Sequence, residues 1–102
     1  MAKLMALYKK PADVAAFDAY YYKTHVPIAK KVMGLRRYEV NIGPVMTPTG
    51  ESPYHVVAVL SFDSLDSIHQ ALKSPEGKAA AADLANFAQA GVELLIFGTK
   101  TL

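Results

Sequence analysis

A chain of 102 residues and 11.0 kDa has the size of one ordinary domain, so residues 1–102 read as a single unit with no room for separate catalytic and binding domains. With 52% hydrophobic and 20% charged residues it can build a packed core, which excludes a disordered chain, and no apolar run is long enough to span a membrane. The absence of cysteine excludes disulfides, thiolate nucleophiles and cysteine-held metals and fits a cytoplasmic protein, while the net charge of +2 hides eight cations against two acids in residues 1–37.

The first element reads as a strand over residues 3–9, closed by Lys10 and Pro11. Asp13 is placed to cap a helix in which Val14, Phe17 and Tyr21 recur at helical spacing. Pro27 disfavours helical geometry at Val26, so this helix is expected to end or kink near His25, with a short turn before Gly34. Residues 35–42 alternate as a strand. Residues 43–53 hold Pro44, Pro48 and Pro53 and read as a loop suited to act as a lid. Tyr54 to Phe62 is a nearly continuous apolar run, expected to be a strand buried on both faces. Asp63 or Ser64 caps a helix containing Leu65, Ile68 and Leu72. Ser74-Pro75-Glu76 opens another that runs to Ala88, and Val92 to Thr99 is the last strand.

Strand–helix–strand, twice over, is an α+β pattern: ferredoxin-like βαββαβ, a four-stranded antiparallel sheet with helices on one face. Parity leaves Met5, Leu7, Val57, Val59, Leu95 and Phe97 on the other face, with Arg37 and Glu39 on an edge strand. That apolar patch exceeds what a soluble monomer exposes, so a homodimer with its sheets face to face is expected. Between helices and sheet stand Leu4, Ala6, Tyr8, Tyr38, Val40, Tyr54, Val56, Ala58, Leu60, Leu94 and Ile96. Small residues at the centre and tyrosines at the margin describe a pocket with polar-tipped rings at its mouth. They describe equally an ordinary core with amphipathic tyrosines at its rim, and both readings stay open.

Of the 3 histidines, His69 reads as a surface residue and His55 as a dimer-face residue near the start of the third strand. His25 stands four residues after Tyr21 and eight after Phe17 on the inward stripe of the first helix, where its ring reaches the space beneath. An imidazole there serves as general acid or base, or is a buried histidine satisfied by a backbone carbonyl. The histidines lack metal spacing, and neither a glycine-rich phosphate loop nor a nucleophile elbow is present. No cofactor and no metal are therefore expected, and any activity is acid–base work on a small, mostly apolar molecule. The basic doublets fall at element ends without a helix-turn-helix, RNP-like or zinc-knuckle pattern, so nucleic acid is not an expected partner.

The run Phe17-Asp18-Ala19-Tyr20-Tyr21-Tyr22-Lys23-Thr24-His25-Val26-Pro27-Ile28, followed by Met33-Gly34-Leu35-Arg36-Arg37-Tyr38, resembles the EthD family. The shared pattern is an aromatic, a tyrosine pair, a THxP segment and a GL opening the second strand. Ser74-Pro75-Glu76-Gly77 and Glu93-Leu94-Leu95-Ile96-Phe97 also fit. The resemblance implies a ferredoxin-like dimeric α/β barrel. It also implies an association with bacterial ethyl tert-butyl ether degradation, usually beside a cytochrome P450 system, with the family's own biochemical role unassigned. Polyketide cyclases of similar fold use two histidines at positions that are Val56 and Gly77 here, so their mechanism does not carry over. The resemblance makes His25 the first site candidate, with Tyr21 as its hydrogen-bond partner. Tyr8, Phe17, Tyr38, Tyr54, Val56, Leu94 and Ile96 then contact a small apolar or aromatic ligand. Three functions follow: an enzyme of this kind, a non-catalytic carrier dimer accessory to an oxygenase, or a structural dimer whose pocket is filled core.

Overall fold

Leu4, Ala6 and Tyr8 alternate with Lys3, Met5 and Leu7, and this period of two forms strand β1, Ala2–Lys9. The computed structural model describes all of residues 1–102. Asp13 Oδ1 accepts the Ala16 N–H at 3.0 Å and starts helix α1, Val14–Tyr20. The helix does not end near His25. Tyr21–His25 forms a π-helical turn, and α2, Val26–Ala29, continues directly from it. Pro27 has no N–H to donate, and the widened turn before it sends the Val26 N–H to the Tyr21 carbonyl, five residues back instead of four. The chain thereby passes through the proline without losing its helical course.

Gly34, at φ +79°, turns the chain toward β2, Arg37–Val40, which is shorter than its alternation suggested. Residues 43–53 are more ordered than a loop, because Met46–Thr47 (β3) pairs with Gly50–Glu51 (β4) as a small hairpin. Strand β5 spans Tyr54–Phe62. Ser64 caps α3, Leu65–Lys73, and Ser74 caps α4, Pro75–Phe87, each hydroxyl accepting a backbone N–H at 3.1 Å. Strand β6 is Val92–Gly98.

The main sheet has the order β2-β5-β1-β6 with every pair antiparallel, the ferredoxin-like arrangement with helices on one face. The core lies between those helices and the central strands, where Tyr8, Phe17, Tyr21 and Phe87 pack ring on ring at 5.4–5.8 Å. β5 is not buried on both faces. Val56, Ala58 and Leu60 are buried under the helices, whereas Val57 and Val59 are half-buried on a sheet face that carries no helix. At the end of this strand Tyr8 pairs with Val56 and Lys9 with Tyr54, so the ladder skips His55. Such a bulge reverses the side-chain alternation. His55 therefore turns toward the helices, where Nε2 meets Asp18 Oδ1 at 2.7 Å, and not toward the open face. Tyr54 turns the other way, its hydroxyl donating to Glu93 at 3.1 Å.

Candidate functional site

The π turn sets Tyr21 and His25 on the inner side of the first helix, with their rings stacked at 5.6 Å. Both are buried, Tyr21 completely. The hydrogen-bond partner of His25 is not Tyr21 but Asp83, whose Oδ2 stands 3.0 Å from Nδ1. Asp83 projects from α4 and also accepts from the Tyr20 hydroxyl at 2.6 Å and the Asn86 amide at 2.9 Å. Burial acts to raise this carboxyl, but the hydrogen bonds from Tyr20, Asn86 and His25 prevail and hold it below its ordinary value. A carboxylate on Nδ1 fixes the tautomer with its proton there, which leaves Nε2 as the acceptor of the neutral ring. Nε2 makes no hydrogen bond within the chain and is not among fully enclosed atoms left without a partner.

His25 lines a cavity of about 80 Å³ between the helices and the sheet. Sixteen of its 18 lining residues are hydrophobic, the others being His25 and Gly77. Tyr8 and Tyr38 line it as well. The Tyr21 hydroxyl sits 2.6 Å from that of Tyr38, just behind the wall. Burial first, and then the neighbouring Tyr38, push the Tyr8 and Tyr21 phenols far above their ordinary value; burial likewise raises Tyr38. All three stay protonated hydrogen-bond donors at neutral pH. No group of three or more His, Asp or Glu side chains stands close enough to share a metal ion, and no helix is long and apolar enough to cross a membrane.

The structure thus brings His25, Tyr8, Tyr38 and Leu94 to one cavity, with Tyr21 behind it. Phe17 and Val56 lie deeper in the packed core and do not line it. Ile96 also stands off the lining, 40% exposed on edge strand β6. Tyr54 is removed by the bulge that turns it to the open sheet face. No residue of 43–53 lines the cavity either, so the hairpin is not its lid. It borders instead a separate, polar cleft with Lys10, Asp18 and His55. Sequence reasoning missed Asp83, although a signal was present: it falls on the α4 stripe shared with Ala80 and Phe87, three residues after one and four before the other.

An EthD-domain family model matches residues 9–91. The chain is 37% identical over 102 residues to an uncharacterized 11.0 kDa protein of the thcB–thcC intergenic region of Rhodococcus erythropolis, covering 100% of this chain and 98% of that one. The crystal structure of an ethyl tert-butyl ether degradation (EthD) family protein from Bacillus halodurans C-125 superposes with a TM-score of 0.89 at 38% identity, covering 98% of this chain and 99% of the other. A dimeric protein of unknown function and ferredoxin-like fold from Bacteroides fragilis shares the fold at a TM-score of 0.64 and 20% identity, over 96% and 95% of the two chains. The pattern of Tyr21, His25 and Pro27 on a ferredoxin-like scaffold, the matched residues 9–91 and the two relatives above one-third identity lead to one conclusion: the chain belongs to the EthD family.

Proposed function

We propose that the protein performs cofactor-free acid–base chemistry on a small, mostly apolar molecule held in this cavity, with His25 Nε2 as the proton-transfer atom. The observation that carries the reading is a histidine that lines an apolar cavity, pinned through Nδ1 by a buried carboxylate, with Nε2 unpartnered within the chain. The neutral ring offers the Nε2 lone pair to a substrate proton. Asp83 balances the charge that the ring then bears, and the proton returns to substrate from the same nitrogen. A cavity of about 80 Å³ is smaller than the ~150 Å³ that accepts a benzene ring, so the proposed substrate is smaller than a substituted aromatic. Small oxygenated molecules carrying a proton that a neutral imidazole can remove are the first compounds to screen. With a converted compound in hand, His25→Ala is expected to lower kcat by at least ~100-fold, the usual contribution of a positioned acid–base group. Unchanged turnover would remove His25 from the chemistry.

A carrier role is favoured by one feature, the nearly all-apolar lining, which suits storage of an apolar metabolite. In that case the ligand returns chemically unchanged and His25→Ala alters affinity alone. The proposal also includes a second copy over the open sheet face, where Leu95 and Phe97 are 47% and 40% exposed. The accessible surface of 6331 Å² exceeds the ~5,600 Å² usual for a monomer of this mass. The Bacteroides fragilis protein of this fold is described as dimeric.

A further inference from the structure

The cavity's polar groups narrow the chemistry of what it holds. None of its 18 lining residues is Lys, Arg, Asp or Glu. An anionic ligand would enter without a lysine or arginine counter-charge and lose its hydration, a penalty that apolar contact does not offset. Tyr21 is completely buried and its hydroxyl has one partner, the Tyr38 oxygen at 2.6 Å. A buried donor must spend its proton, so Tyr21 donates and Tyr38 accepts, which leaves the Tyr38 proton for the cavity. The Tyr8 hydroxyl makes no hydrogen bond within the chain and its residue lines the same space. Tyr21 touches all three polar residues of the lining: Tyr8 with rings at 5.4 Å, His25 at 5.6 Å, and Tyr38 through the hydroxyl pair. Two unspent phenolic O–H donors and one basic nitrogen therefore gather around one buried ring.

We infer that the ligand is a small uncharged carbonyl compound whose oxygen accepts from Tyr8 and Tyr38 while Nε2 of His25 takes a proton from the carbon beside the carbonyl. The inference rests on the reading of His25 as the proton-transfer group. In the step, the C–H bond breaks and an N–H bond forms on His25. The C–H pair becomes the C=C bond of an enolate, and the carbonyl π pair moves to the oxygen that the two phenols hold. Return of the proton to carbon restores the ketone. Nothing is oxidised or reduced, and no co-reactant enters.

Acetone is the probe, with isobutene (no oxygen) and acetate (charged), both of the same size and shape, as comparisons, each followed by ligand-observed NMR in heavy water. Tyr8→Phe and Tyr38→Phe are expected to weaken acetone about five- to tenfold each, the loss of one net hydrogen bond, and to leave isobutene unchanged. Retained isobutene binding shows that the variant cavity is intact. The carboxylate is expected neither to bind nor to displace the ketone. Deuterium is expected at the carbon beside the carbonyl faster than in buffer alone, and not with His25→Ala, which still binds the ketone. Binding of the carboxylate, absence of ketone binding, or phenol variants that weaken ketone and hydrocarbon alike would overturn the ligand class. Phenol-dependent binding without exchange would leave the class standing and overturn the role of His25.

Discussion

Asp83 accepts three hydrogen bonds in a place where an aspartate of an alanine-rich helix would ordinarily face water. Its folded value lies below the ordinary 3.8, so the contribution of the charged form to stability is fully present above about pH 4 and is lost as pH falls through the folded value. Denaturant titrations at pH 7 and pH 3 are expected to show wild-type protein losing stability on acidification and Asp83→Asn losing less. At pH 7 that variant is expected to be weaker by ~1–3 kcal/mol, the cost of an imperfectly paired buried group. The phenols shift in the opposite direction. Tyr8, Tyr21 and Tyr38 are raised above 10.0, so the fold favours their neutral forms; this stability holds below about pH 10 and fades as pH rises beyond it. In an alkaline titration the phenolate absorbance of these three is expected to appear together with the loss of circular dichroism. Early titration would mean that the cluster is open to water. His25 was legible because its spacing from Phe17 and Tyr21 marks an inward stripe. Asp83 was legible only as a residue on the inward stripe of α4, because apolar periodicity says nothing of which side chain another helix will bring to it.

The four strands of the main sheet and the helices announced themselves through alternation, an apolar run, a capping residue or a proline, whereas the β3–β4 hairpin read as a loop. What stayed hidden were offsets in hydrogen bonding. A spacing of four residues between Tyr21 and His25 fits an α turn and a π turn alike, so the widened turn left no mark in the pattern. The skipped residue in β5 was equally silent, and it exchanged the faces of Tyr54 and His55. The contact between α3 and α4 rests on Gly77. A Cβ there would stand 1.9 Å from the Ala71 carbonyl oxygen, which explains why this position carries no histidine of the cyclase kind. Gly77→Ala is expected to lower the unfolding free energy by ~1–3 kcal/mol or more through overpacking, read as a lower denaturant midpoint at unchanged slope. A stability equal to wild type would show that α3 shifts freely.

At the scale of the molecule, extents of 35 × 35 × 18 Å describe a slab of one helical and one sheet layer. The wide sheet face carries Met5, Leu7, Val57, Val59, Leu95 and Phe97 and has no third layer. Native mass spectrometry is expected to give a dimer, and Phe97→Lys, which sets a cation on that face, a monomer with a lower Tm. A wild-type monomer at micromolar concentration would refute the face-to-face arrangement. If the covering of that face comes from another molecule, Tm rises with protein concentration. Each tenfold dilution then removes about 1.4 kcal/mol per mole of dimer from the folded pair relative to two separate unfolded chains. Synthesis rate becomes a determinant of lifetime: a cell that makes little of this chain leaves more of it unpaired and open to proteolysis, and one that makes much protects what it has made.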